Sequence, residues 1–319
     1  MPIHGKIPEM SSHDFLVVED PAVQRIVPAS SRVERVATGF GFTEGPVWTR
    51  DGNLLFSDIP NNTIFRLSPS GEVDVFRRPS GYDGMDLPKG GLIGSNGLTL
   101  DSMARVTVCE HGNRRVTRLE RDGSLTVLAD RFEGKRLNSP NDLLFHSNGD
   151  LYFTDPPYGL PQQDEDHRKE LKFNGVFRLK PSGKLELLYD QLTRPNGLVF
   201  SPDERAIWVG NSDPKRRMYM RFDVTTDGKF TNGVVFADVT DEPGPGNPDG
   251  MKIDREGTLY FTGAGGVRIY LPDGKYLGMI VFPEIPANLH WGEADAQTLY
   301  VTARTSVYRI KLNVPGIRP

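Results

Sequence analysis

The chain has 319 residues, with 38 lysines and arginines against 42 aspartates and glutamates, for a net charge of −4. That balance offers no basic field for nucleic acid or an anionic membrane. A single cysteine, Cys109, rules out an internal disulfide and gives no sign of an oxidising compartment. No apolar run approaches the roughly 18 residues of a membrane-crossing helix, and the opening MPIHGKIPEM lacks the basic start and apolar centre of a signal peptide. The expected location is therefore the cytoplasm.

Residues 1–31 read as an N-terminal extension with a short helix inside SSHDFLVVEDPAVQRIV (11–27). Beyond it helical periodicity is scarce, and the 34 glycines and 25 prolines are spread evenly, as many tight turns require. A pattern of apolar run, polar turn and second apolar run recurs six times, at 45–58, 97–110, 142–155, 197–211, 250–263 and 290–303. Each of the first five copies is followed by a second hairpin pattern, such as TIFRLSPSGEVDVF or GVFRLKPSGKLELLY. The sixth has only SVYRIKL (306–312) and is one strand short. The missing strand is RVERVAT (32–38), ahead of the first copy. Six repeats of four antiparallel strands, the last closed by an N-terminal strand, predict an all-β, six-bladed β-propeller forming a single domain over 32–319. A large β-sandwich fits poorly with a period near 50 residues and the one-strand offset.

Aligning the repeats on their second strands brings Glu44, Asn96, Asn141, Asn196 and Asp249 to one position, eleven residues ahead of Leu55, Thr107, Tyr152, Ile207 and Tyr260. Taken singly, Asn-Gly or Asp-Gly is ordinary turn chemistry. Five in register at the start of the channel-lining strand make a converging ring of oxygens instead. The sixth repeat offers Leu289 at strict spacing, His290 if its turn is one residue shorter, with Asn288 close by. Two carboxylates and three carboxamides crowded at a channel mouth would repel or be left desolvated. One hard divalent cation resolves that conflict: Ca²⁺ fits an all-oxygen set best, with Mg²⁺, Mn²⁺ and Zn²⁺ as alternatives.

FTEGPVW (42–48), SPNDLLF (139–145), RPNGLVF (194–200) and NPDGMKI (247–253) resemble the signature segments of the senescence marker protein/regucalcin/gluconolactonase family, and the likeness runs from about 35 to 312. DPPYG (155–159) and HGNRRV (111–116) resemble its gluconolactonase branch. The resemblance implies a six-bladed propeller with one catalytic divalent metal that hydrolyses sugar lactones. It places metal ligands at Glu44, Asn196 and Asp249, with Asn141 as ligand or substrate holder. The same propeller resembles diisopropyl fluorophosphatase and paraoxonase, and NLHW (288–291) is similar to the fluorophosphatase's NLHF. One departure stands out: animal members carry an arginine two residues before the Asn of the ND segment, and here that place is Ser139.

On this reading a lactone carbonyl is polarised by the cation and attacked by water, with Asp249 or His290 as the candidate base; His111 is a further histidine within reach. Direct attack by Asp249 is the route for a phosphorus ester. Antiparallel pairing brings the ends of second strands to the same mouth, so Asn96, Glu110, His111, Tyr158 and Arg304 form the expected substrate-binding set, with Asp155 to Tyr158 and Asn211 to Asp213 nearby. The insertions 77–95 and 156–175 open on that face as candidate lids. DEDHRKE (164–170) and DPKRRMYMR (213–221) read as solvated charge runs. His146 is expected in an exposed turn on the opposite face, and His4, His13 and His167 on the surface. Trp48, Trp208, Trp291 and Cys109 are expected in the core. The functional expectation is a gluconolactonase-like lactonase acting on a small-molecule lactone as monomer or homodimer. An esterase or organophosphate hydrolase, and a non-catalytic binding platform, are the alternatives.

Overall fold

A computed structural model describes residues 15–84 and 92–319. His4, His13 and the middle of the 77–95 insertion lie outside the described residues. Six antiparallel sheets stand in a ring, one for each repeat, with inner strands Thr43–Trp48, Ser95–Leu100, Leu143–Phe145, Pro195–Phe200, Met251–Ile253 and Pro286–Gly292. Each inner strand lies against the next, and Pro286–Gly292 closes the circle on Thr43–Trp48. The outer strand of blade six is Glu34–Thr38, paired with Ser306–Lys311, so the expected closure by the N-terminal strand is observed.

The core is divided into six apolar clusters, one between each pair of neighbouring blades. Side chains alternate across each strand, and both faces of a blade are covered. Leu54 and Phe56 thus pack towards blade six, while Leu55 packs towards blade two. That is why the second strands read as continuous apolar runs rather than alternating ones. Cys109 is fully buried between blades two and three, and burial pushes its thiol up, well away from reactivity.

The segment ahead of the propeller is more than a helix. Leu16–Val18 pairs with Tyr276–Ile280, giving blade five a fifth strand, and the helix is a single turn, Val23–Ile26. Phe15, Val23, Ile26 and Val27 enter the cluster between blades five and six, so an otherwise open sheet edge is covered. Trp208 and Trp291 are core residues, while Trp48 is half-buried and stacked on Tyr300 with ring centres 5.3 Å apart. His146 departs from expectation: it is half-buried, edge-on to Phe200 at 5.2 Å. DEDHRKE is also better tied down than a solvated run, since buried Asp166 pairs with Arg168 at 2.9 Å and Asp164 with Arg194.

Trp291 joins the last blade to the rest. Its Nε1 donates to the Ile253 carbonyl at 3.0 Å, and the backbone of Gly316 lies directly on its ring. Trp291→Ala is expected to lower unfolding free energy by about 3–5 kcal/mol in denaturant titration, the usual cost of emptying a large aromatic site.

Candidate active site

The residues of the predicted ring do converge. Glu44, Asn96, Asn141 and Asn196 are all at least 96% buried at one end of the central channel, and Asp249 stands at its half-exposed rim. Local backbone explains how a strand end turns a side chain inward. Register shifts fall at Glu44/Val47, Ser95/Leu98, Pro195/Leu198 and Pro286/Asn288, and each such bulge re-aims the residue at the ring position. In blades three and five the ring residue sits just ahead of the strand.

The sixth member is Asn288. Its Nδ2 donates to Glu44 Oε2 at 3.1 Å, and Gly45 N–H donates to the same oxygen at 2.7 Å. Strict repeat spacing could not anticipate it because the blade-six hairpin is longer: Tyr300 pairs with His290, ten residues back, whereas Tyr152 pairs with Leu144, eight residues back. His290 therefore lies two residues deeper, 3% exposed, with Nδ1 2.8 Å from the Trp291 carbonyl oxygen. Burial, and next to it the charge of Lys252, drop its pKa to about 3.

The glycines that follow the ring residues have a cause other than turn chemistry. A Cβ at Gly45 would lie 2.0 Å from the Asn96 carbonyl oxygen, one at Gly97 2.6 Å from that of Asn141, and one at Gly197 2.1 Å from that of Asp249. At Gly250 it would meet Asn288 Oδ1 at 2.1 Å. Each glycine is the gap into which the next blade's ring residue fits. Hydroxyls on the second strands then anchor those residues. Ser57 donates to the Asn96 carbonyl at 2.8 Å, Thr154 to that of Asn196 at 2.8 Å, and Thr262 to that of Ala287 at 3.0 Å. Ser212 does the same for Pro248, the neighbour of Asp249. The repeated Ser-Asp, Thr-Asp, Thr-Gly and Thr-Ala strand ends carry this signal in the sequence.

Electrostatics make the ring an acceptor-rich, unbalanced place. Glu44 and Asp249 lie against each other. Burial, then the nearby Asp142, lift Glu44 to about 7, although the Gly45 N–H works against it. Asp249 is raised well above the usual carboxylate range by burial and by the charges of Glu44 and Asp142. Asp142, raised mainly by burial, was hidden in the sequence by its ring neighbour Asn141. Below them Lys252, its ammonium on the Met251 carbonyl at 3.0 Å, is attracted by Asp142 and Glu44.

Three enclosed ring oxygens, Asn96 Oδ1, Asn196 Oδ1 and Asp249 Oδ1, have no hydrogen-bond partner. Unpaired buried acceptors are costly, and acceptors grouped around two carboxylates fit a hard cation. Among the described residues no group of three or more His, Cys, Asp or Glu assembles, at the ring or elsewhere, so a cation here would depend on carboxamide oxygens as well as carboxylates.

The expected substrate-binding residues divide. His111, buried beside the ring, keeps Nδ1 on the Leu92 carbonyl at 3.2 Å and Nε2 3.4 Å from Asn96 Nδ2. This sets Asn96 with its oxygen away from the imidazole. Burial drops His111 to about 4. Tyr158 comes to the ring as well: its hydroxyl lies near Ser212, Asn196 and Asp249, and burial holds it un-ionised. Arg304 is exposed on the mouth face with its guanidinium over Phe42, 5.5 Å from the ring centre. Glu110 corrects the expectation. Its side chain is fully buried and fully engaged, with Arg77 at 2.9 Å, Arg115 at 2.7 Å, Asn113 at 2.7 Å and Thr117 at 2.7 Å. Burial raises its carboxyl, yet Asn113, Arg77 and Thr117 outweigh this and hold it low. Strand alternation turns it towards blade one, away from the channel. Asn211 likewise spends its amide on Arg194 N–H and the Arg216 carbonyl, each at 2.7 Å.

This fold recurs in known proteins. The sequence signature described as "SMP-30/Gluconolactonase/LRE-like region" spans residues 42–305. The chain belongs to that family. It is similar to a gluconolactonase of Zymomonas mobilis, 38% identical over 306 residues, covering 93% of this chain and 85% of the relative. It is similar in structure to a gluconolactonase of Xanthomonas campestris, with a TM-score of 0.83 and 32% identity over 94% of this chain and 95% of the other. A calcium-binding regucalcin from Agrobacterium tumefaciens shares the fold at a TM-score of 0.71 and 20% identity, over 89% of this chain and 95% of its own. The ring therefore sits on a family scaffold whose nearer relatives here are gluconolactonases, and the relatives support lactone hydrolysis as the general activity.

Two measurements probe the site. Gly197→Ala forces a Cβ onto the Asp249 carbonyl and is expected to cost about 1–3 kcal/mol of stability in denaturant titration, as overpacking does. His111 is held below its ordinary pKa of 6.5, so its contribution is complete above pH 6.5 and is lost as pH falls towards 4. Between pH 7 and pH 5 the wild type should lose about 2 kcal/mol more unfolding free energy than His111→Gln.

Proposed function

We propose that this protein is a divalent-cation-dependent lactonase that opens a sugar-acid lactone to the free aldonic acid. The observation that carries the reading is the set of unpartnered buried oxygens on Asn96, Asn196 and Asp249 around the adjacent carboxylates of Glu44 and Asp249. Similarity to gluconolactonases supports the substrate class.

Glu44, Asn141, Asn196 and Asp249 are the residues that would hold the cation. Calcium is the preferred ion, because every donor is a carboxylate or carboxamide oxygen and the Agrobacterium regucalcin is described as calcium-binding. A bound divalent cation would supply Lewis acidity to the lactone carbonyl and its developing oxyanion. The chain's own residues do the rest. Asp249 stands at the partly exposed rim, where it can take a proton from attacking water and return it to the ring oxygen as the ester bond breaks. His290, enclosed and with a pKa of about 3, is a poor base at neutral pH and lies deeper than the rim. Asn96 and Tyr158 present an amide and a hydroxyl to a polyhydroxylated ligand, and this polar wall favours a sugar lactone over an apolar ester or organophosphate.

Acid release from glucono-1,5-lactone and a small panel of sugar lactones tests the reading. Chelated protein should be inactive and should regain turnover with Ca²⁺, while Mg²⁺, Mn²⁺ and Zn²⁺ rank the alternatives. Asp249→Asn should lower kcat by about 100-fold or more, the usual contribution of a general base. Tight Ca²⁺ binding without turnover of any lactone in the panel would overturn the assignment.

A further inference from the structure

Ser139 is fully buried, and both hydrogen-bonding functions of its hydroxyl are engaged by one short segment. Oγ donates to the Pro156 carbonyl at 2.6 Å and accepts from Gly159 N–H at 2.8 Å. The segment 156–159 is thereby bridged at both ends by one side chain. Gly159 is wedged so closely that a Cβ there would lie 2.8 Å from the His111 carbonyl oxygen and 2.8 Å from Ser139 Cβ. A second anchor lies just upstream: Asn138 N–H donates to Asp155 Oδ2 at 2.7 Å, and Asn138 Nδ2 to the Asp155 carbonyl at 3.0 Å.

Between the two bridged residues lies Tyr158. Its hydroxyl lies in the neighbourhood of Ser212, Asn196 and Asp249. Those partners are themselves fixed, since Asn196 Nδ2 donates to Ser212 Oγ at 3.2 Å and Ser212 donates to the Pro248 carbonyl. A fixed backbone in blade three thus brings one phenol up to the ring residue of the neighbouring blade four.

We infer that Ser139 is a positioning residue that clamps Pro156–Gly159, and that the clamped Tyr158 hydroxyl orients a hydroxylated lactone over Asn196 and Asp249. The inference rests on the lactonase reading for the identity of the ligand. Ser139 acts only through Tyr158, so loss of the serine hydroxyl and loss of the phenol hydroxyl remove the same contact. The tyrosine contributes to holding the substrate, not to the bond-breaking step.

The test is a double-mutant cycle on the Ca²⁺-loaded full chain with Ser139→Ala, Tyr158→Phe and the pair. Each single variant should raise KM for glucono-1,5-lactone about tenfold, as loss of one well-placed hydrogen bond does, with kcat changed by less than about threefold. The double variant should be no worse than Tyr158→Phe. Calorimetric binding of D-gluconate, the open-chain product, should weaken by the same factors, while Ca²⁺ affinity stays within about twofold of wild type, since neither residue is a cation ligand. Effects that multiply in the double variant, or a KM that does not move in Tyr158→Phe, overturn the clamp. If the wild type hydrolyses no lactone yet binds gluconate with the same non-additive losses, the clamp stands and the lactonase assignment falls. If it neither turns over lactones nor binds gluconate, both fall.

Discussion

The site depends on how closely neighbouring inner strands approach at the channel mouth. The carbonyl of one ring residue occupies the space where the preceding blade would carry a Cβ, at 2.0 Å for Gly45 and 2.1 Å for Gly197. Such an approach is open only to glycine. It fixes the spacing of the ring, brings Glu44 against Asp249, and leaves three enclosed side-chain oxygens without donors. Wider spacing would admit water to each oxygen and dissolve the charge conflict that a cation can relieve.

The surroundings reinforce this constraint from two directions. Second-strand hydroxyls hold ring carbonyls from behind, so the carboxamides are aimed by backbone anchoring rather than by pairing with one another. Histidine contributes as a neutral group: buried His111 presents a nitrogen to Asn96 Nδ2. A protonated imidazole at that place would offer a donor to a donor. The apolar clusters between blades make this geometry rigid, because the ring positions cannot move without repacking an interface on each side.

Charge is graded along the channel. The carboxylates at the mouth are pushed upwards by burial and by one another, whereas Lys252 beneath them is pulled towards Asp142. Between blades one and two, by contrast, Glu110 is surrounded by arginines and an asparagine and is stable as an anion. Two buried acids in the same protein thus have opposite roles, set by their neighbours and not by their burial.

The sequence by itself determined the propeller, its closure by Glu34–Thr38 and five of the six ring positions, because these follow from a period of apolar runs and from residues kept in register with it. It could not determine the sixth position, since the blade-six hairpin is longer than those of the other blades and takes the ring residue off the repeat spacing. Nor could it separate Glu110 from the channel, because the end of a strand marks the mouth face while side-chain alternation and Arg77 from the neighbouring blade decide where the carboxylate goes. Asp142 was masked by Asn141 beside it, and the partnership of Ser139 with Tyr158 joins residues whose link exists only once the 156–159 segment is folded back. Register is a local property of the chain. The direction of a side chain and the neighbours it meets belong to packing between blades, and only the tertiary structure decides them.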